Sequence, residues 1–155
     1  MKVKIYTDGA CSGNPGKGGY GVVLRYGNHE KRLSAGFRKT TNNRMELMAV
    51  IAGLEALQKD GLEVEVISDS RYVVDAVEKK WVMGWEKNGF KKKKNPDLWE
   101  RFLRVYRRHH VQFHWIRGHA GHAFNELCDE MAVAASHQHG LPADEGYEAV
   151  GEQDD

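Results

Sequence analysis

The stretch "YTDGACSGNPGKGGYG", residues 6–21, sets six glycines directly after a carboxylate, Asp8, and so raises the possibility of phosphate binding. Gly16, Gly18 and Gly21 fit the spacing G-x-G-x-x-G, but that pattern binds a pyrophosphate only where a strand leads in and a helix leads out. Here the exit is "YGVVLRY", which reads as a strand. No Gly-Lys pair continues into Ser or Thr in the Walker spacing, which excludes a mononucleotide loop of that kind. The remaining candidate chemistry sits on acids: Asp8 after "IYT", Glu46 in the first turn of a helical segment, Asp69 after "VIS" and Asp129 in the last helical segment. Dozens of residues separate them, so spacing alone does not bring them together. Each taken singly also suits a helix dipole or a solvated strand end. A second feature is basic. Between Lys79 and Lys94 stand seven lysines against one acid, Glu86, interleaved with Trp81, Trp85 and Phe90.

The elements that must position these residues follow from periodicity. "VKIYTD", "YGVVLRY" and "KRLSAGF" read as three strands, the last two joined by a turn at Gly27-Asn28, and short connections imply an antiparallel meander. "NNRMELMAVIAGLEALQ" spaces Leu47, Val50, Ile51 and Leu54 as one helical face, with Asn42 or Asn43 as the cap. "EVEVISDS" is a fourth strand. "RYVVDAVEKKWVMGW" predicts one helix with Val73, Val77 and Trp81 on its buried face. "NPDLWERFLRVYRR" starts a helix at Asn95-Pro96, "VQFHWIRG" is a fifth strand, and "NELCDEMAVAAS" a last helix. Strands joined through helices should run parallel, so the expected fold is α/β: a five-stranded mixed sheet covered by helices. Ligands in such sheets gather beyond the carboxyl ends of strands, where Asp8 and Asp69 are expected.

Composition bounds the rest. At 155 residues, 41% hydrophobic and 29% charged, the chain suits one globular domain with its own core. We expect that domain over residues 1–140, with a basic protrusion at about 79–95 and an acidic tail from 141 whose composition implies disorder. The net charge of +1 conceals an asymmetry: six of the 22 acids crowd the last dozen residues. Without them 16 acids face 23 bases, about +7, a balance that suits a polyanion. No apolar run spans a membrane and "MKVKIYTDG" lacks the apolar core of a signal peptide, so a cytoplasmic location is expected. Cys11 and Cys128 read as reduced packing residues.

"TDGACSGNPGKGGYG", "TTNNRMEL", "SDSRYV" and "RGHAGHAFNELCDEMA", in this order, resemble bacterial type 1 ribonuclease H, ribonuclease HI, over about residues 2–136. The resemblance implies the same sheet with helices on both faces. It also implies a metal-dependent endonuclease that hydrolyses the RNA strand of an RNA/DNA hybrid, leaving 3′-hydroxyl and 5′-phosphate ends, with Asp8, Glu46, Asp69 and Asp129 holding the metal and His119 a mobile catalytic histidine. Four acids in one pocket repel one another, so they make sense around cations, two Mg²⁺ with substrate or Mn²⁺ as substitute. By the same resemblance Asn14 and Asn43 meet bases or sugars from the minor groove, Thr41 and Asn42 hold a phosphate of the DNA strand, and Cys11 belongs to the substrate-binding set. The small glycine residues would let a hybrid backbone lie close to main chain. "KKWVMGWEKNGFKKKKN" is similar to the family's basic protrusion, with Trp81, Trp85, Lys87, Lys91 and Lys92 as contacts. The chain departs from the pattern at Arg71, where the family often has glutamine and where a substrate-binding arginine would add a charged contact or exchange a minor-groove hydrogen bond for one, at Phe90, where tryptophan is common, and in a short connection from Phe90 to Leu98. A monomer is expected. The competing readings are another metal nuclease or strand-transfer enzyme of the same sheet, and a hybrid-binding module without catalysis.

Overall fold

A computed structural model describes residues 2–118 and 120–150. Strands β1 (Val3–Gly13), β2 (Gly16–Tyr26), β3 (His29–Thr40), β4 (Glu63–Ser68) and β5 (His110–Trp115) form one sheet in the order β3-β2-β1-β4-β5. The first three pair antiparallel through tight turns, whereas β1 with β4 and β4 with β5 run parallel. The intervening helices are α1 (Asn42–Glu55), α2 (Arg71–Glu78), α3 (Trp81–Lys87) and α4 (Pro96–Tyr106), followed after β5 by α5 (Ala123–Ser136) and α6 (Glu145–Ala149). This is the expected mixed α/β sheet, since a parallel neighbour requires a crossover and a two-residue turn can only reverse the chain.

Side-chain alternation along β2 shows that helices cover both faces. A Cβ built on Gly18 would meet Met45 of α1, while one on Gly19 would lie 2.5 Å from the Ala132 carbonyl oxygen of α5. A Cβ on Gly21 would collide with the Cys128 carbonyl. Successive strand residues point to opposite faces, so α1 and α5 sandwich the sheet. The core under α1 and α4 joins Ile5, Val22, Val64 and Val66 to Leu47, Ile51, Leu54, Trp99 and Phe102.

Four expectations change. The glycine-rich stretch is not a loop, for β1 and β2 run through it and turn at Asn14-Pro15. Gly9, Gly19 and Gly21 are required by the protein's own helices, whose backbones pass too close for any side chain. The helix expected over 71–85 is two helices, because Lys80 adopts φ 62° and turns the chain. Val82 consequently enters the core and Trp81 lies 48% exposed. The cap of α1 is Thr41, whose hydroxyl accepts from the Arg44 N–H, and not Asn42 or Asn43. Finally, the acidic stretch after 140 contains α6, capped by Asp144, and buries Asp144 and Tyr147 against the body.

Candidate functional site

Asp8 lies within β1 and not at its end, five residues short of Gly13. Glu46 projects from the second turn of α1, and Asp69 follows the last residue of β4. The three meet because α1 crosses β1 at Gly9: a Cβ there would stand 2.6 Å from the Glu46 backbone nitrogen. Each acid offers one oxygen such that all three lie within 4.8 Å of one another. Asp8 and Glu46 are only 5% and 7% exposed. The Gly9 N–H donates to Asp8 Oδ1 at 2.9 Å. Glu46 Oε1 and Asp69 Oδ1 are buried without a hydrogen-bond partner among the described residues.

Like charges packed this closely resist ionisation. Burial, then the Asp69 and Asp129 charges, push the Asp8 carboxyl up to about 7, despite hydrogen bonds with Glu46 and Gly9 that favour its ionised form. Burial, followed by the charges of Asp8 and Asp69, raises Glu46 well above the usual carboxylate range. Among the described residues none of these acids has an ion pair. Orphaned buried oxygens on mutually repelling acids fit a hard divalent cation such as Mg²⁺ or Mn²⁺, which takes oxygen ligands. Asp129, on α5, stands outside the three-oxygen group but is near enough for its charge to act on Asp8. A Cβ on Gly118 would lie 2.6 Å from Asp69 Oδ2, so only glycine leaves that carboxylate its place. His119, next along, lies outside the described residues.

Neither cysteine competes as a nucleophile. Burial, then the Asp8 charge, pushes the Cys128 thiol up to about 12, and its sulfur contacts the Tyr6 carbonyl at 3.3 Å. Cys11 is half-buried, with its sulfur 3.5 Å from the Thr40 carbonyl oxygen.

The other sequence-selected residues divide into two groups. At the β1–β2 turn the exposed Asn14 accepts the Asn42 N–H at 2.9 Å, which ties the hairpin tip to the start of α1, where Asn43 follows. Thr41 is 0% exposed, and its hydroxyl is occupied as the cap of α1 beneath this cluster. Arg71 opens α2 with its guanidinium carbon 4.0 Å over the Trp115 ring. The second group lies on α3 and the turn beyond it. Trp85 packs edge-on against Trp99 at 5.7 Å, with Lys93 Nζ 4.9 Å over its face. Lys79 Nζ lies 5.1 Å over Trp81. Lys87, Lys91 and Lys92 are exposed.

Sequence reasoning missed Trp115, Gly118 and a buried cluster around Arg44. The Arg44 guanidinium, 1% exposed, bonds Asp144 at 2.7 and 2.9 Å, Asp97 at 2.8 and 2.9 Å, and Asn95 at 3.2 Å. Burial opposes its charge, but the Asp97 and Asp144 hydrogen bonds outweigh that and hold it above the usual arginine range. The cluster anchors α1 two residues before Glu46. The signal available in the sequence was Arg44 itself, the one cation in α1. Two clefts of about 430 Å³ lie at the far end of the sheet, one lined by Lys2, Tyr106 and Gln112, the other by Leu24, Leu57 and Leu62. The carboxylates line neither, as suits a site that meets a duplex on an open face.

The RNase H family model matches residues 1–137. The chain is 58% identical over 155 residues to a protein named ribonuclease H from Rippkaea orientalis, covering 97% of this chain and 94% of that one. It is 57% identical over 148 residues to the ribonuclease H of Desulforamulus reducens, covering 92% of each. Among solved structures it is similar to LC9-RNase H1, a type 1 RNase H with the type 2 active-site motif (TM-score 0.79, 34% identity, 98% of this chain and 81% of that one). It is also similar to LC11-RNase H1 in complex with RNA/DNA hybrid (TM-score 0.65, 31% identity, 86% and 95%).

Proposed function

Since the chain belongs to the ribonuclease H family, we propose that it hydrolyses the RNA strand of RNA/DNA hybrids by two-metal-ion catalysis, leaving 3′-hydroxyl and 5′-phosphate ends, largely without regard to base sequence. The observation that carries this reading is the cluster of Asp8, Glu46 and Asp69, in which Glu46 Oε1 and Asp69 Oδ1 are buried with no hydrogen-bond partner among the described residues. A similar structure bound to RNA/DNA hybrid supports the choice of substrate.

Asp8, Glu46 and Asp69, joined by Asp129, hold Mg²⁺, and the rigid crossing of α1 over β1 fixes their oxygens before substrate arrives. Bound ions of this kind activate water and stabilise a departing oxygen at a phosphodiester. His119 takes or returns a proton near neutrality, as an imidazole can. No side chain acts as a covalent nucleophile, which agrees with the inert Cys128. The amides of Asn14 and Asn43 read the minor groove, where the 2′-hydroxyl separates RNA from DNA and no base code is needed, and Asn42, with Thr41 beneath it, holds a phosphate of the DNA strand. The half-buried Cys11 lines the same hairpin. The lysines of residues 79–95, together with exposed Trp81 and half-buried Trp85, hold phosphates outside the reacting centre.

The test is purified protein with labelled RNA/DNA hybrid, duplex DNA, duplex RNA and single strands, each in Mg²⁺ or EDTA. Cleavage of the hybrid RNA alone, and only with metal, is expected. Equal cutting of duplex DNA, or binding without cutting in any metal, overturns the proposal.

A further inference from the structure

Trp115 is the last residue of β5 and pairs in register with Ser68, the residue before Asp69. Its indole Nε1–H donates to the Asp69 main-chain carbonyl at 2.9 Å. Its ring lies 4.0 Å beneath the Arg71 guanidinium carbon. A tryptophan 38% exposed contributes little to the core, so its two polar contacts demand another explanation. They fall on either side of one short turn: the main chain of an acid in the candidate metal site, and a cation two residues later. That cation differs from others in the chain. Arg38, Arg44, Arg101 and Arg107 are each neutralised by a carboxylate, whereas Arg71 has no ion pair among the described residues. Stacking on an indole restrains a guanidinium without consuming its N–H donors, which remain for an oxyanion that matches their fork.

We propose that Trp115 is a positioning residue for the ribonuclease site: its N–H holds the Asp69 turn for metal binding, and its ring holds Arg71 as a fixed cation for a phosphate oxygen of the hybrid. This rests on the reading of the site given above. The two contacts separate cleanly, because phenylalanine keeps a ring face and loses the N–H, whereas leucine loses both.

Mn²⁺ binding, measured by calorimetry without nucleic acid, and hybrid binding, measured by anisotropy in EDTA across salt, are compared for the parent, Trp115→Phe, Trp115→Leu, Arg71→Ala and the Trp115→Leu/Arg71→Ala pair. Trp115→Phe is expected to weaken Mn²⁺ by about 10-fold, the lower range for a group that orients a ligand, while hybrid affinity in EDTA holds. Trp115→Leu should also weaken the hybrid and flatten its log-log salt slope by up to ~0.9, the value of one phosphate contact. Arg71→Ala should match it in that respect, and the pair should lose little beyond either single change. A merely structural tryptophan would move the melting temperature and leave the salt slope alone. Parental Mn²⁺ affinity in Trp115→Phe, or a parental slope in Trp115→Leu, overturns the inference. A parent that leaves hybrid RNA intact overturns the ribonuclease proposal instead, and the Mn²⁺ titration still decides whether Trp115 holds the Asp69 turn.

Discussion

The carboxylate cluster and the lysine segment address the same polyanion with opposite physics. At the cluster, carboxylates are buried within 4.8 Å of one another, so they must either hold protons or be neutralised by a cation. At residues 79–95, unlike charge is offered on exposed side chains above two tryptophans, in water and screened by salt. Burial gives the first region geometric precision at a cost in stability. Exposure gives the second region reach and tolerance, so that losing one lysine shifts affinity and leaves the fold alone. Variants in the first should therefore act on turnover and metal, and those in the second on binding and its salt dependence.

The largest separation is expected from Asp69→Asn, which keeps shape and removes one charge. We expect kcat to fall by at least about 10³-fold, because a ligand whose oxygen is already buried cannot be replaced from solvent. In EDTA the variant should melt no lower than the parent, since a repelling charge is gone. Near-parental turnover in Mg²⁺ would remove Asp69 from the ligand set.

A different buried charge should behave in the reverse manner. Asp144→Ala leaves Arg44 without its most buried partner and is expected to cost about 3–5 kcal/mol in urea unfolding, with loss of the Thr40 hydroxyl hydrogen bond at 2.6 Å included. Metal lowers the cost of the first pocket and does nothing for this one. Equal stability of variant and parent would mean that α6 does not brace α1.

His119→Ala should follow in size. With water activation already assigned to the metal site, the histidine assists, and a loss of about 10²-fold in kcat with KM little changed is expected. His114, on β5, replaced in the same way should matter less. Parental turnover of His119→Ala across the neutral range would strip it of its role.

These particulars also mark what the sequence could and could not reveal. Alternation in "VKIYTD" and "YGVVLRY" shows strands, but glycines carry no pattern, and the strands continue through them by pairing with each other, with α1 and α5 close against Gly9, Gly19 and Gly21. The break at Lys80 is invisible to helical periodicity, since a lysine says nothing about which φ tertiary packing will impose. "TTNN" offers four capping residues in a row, and burial selects Thr41. The acidic tail reads as solvated until Asp144 is set against a cation 100 residues earlier in the chain. At the site, motif likeness and not spacing named Asp8, Glu46 and Asp69, which converge through a strand, a helix and a turn. Trp115 and Gly118 escaped notice because their importance lies in what stands next to them.

Acidity tests the first region without mutation. Asp8, with its native pKa raised to about 7, binds more protons folded than unfolded in the interval above its unfolded value of roughly 4. Its contribution to stability is therefore full below that value and is lost as pH rises through about 7. Glu46 acts in the same direction. Metal must displace these protons, so Mg²⁺ affinity should rise by up to about tenfold per pH unit below neutrality for each proton released. Thermal melts in EDTA and in Mg²⁺ at about pH 5.5 and 8 should thus show the metal stabilising more at the higher pH. A pH-independent increment would contradict a cluster that holds protons when empty.

The smallest effect is expected in the second region, from replacing Lys91, Lys92, Lys93 and Lys94 together with alanine. These side chains are exposed and lie beyond α3 on a turn where Lys92 has φ 61°, so the fold should survive their replacement. Lys93 also covers the Trp85 face, and its removal bares that ring without unpacking it from Trp99. Remote from the reacting phosphate, they contribute to binding of ground state and transition state alike, so KM should rise while kcat changes little. The log-log salt slope of hybrid binding should flatten by up to ~0.9 for each phosphate that the variant no longer neutralises, which counts the lysines that touch DNA. An unchanged slope with unchanged KM would show that the run is a solvated face, and would leave Trp81, Trp85 and Lys87 to carry whatever grip the protrusion has.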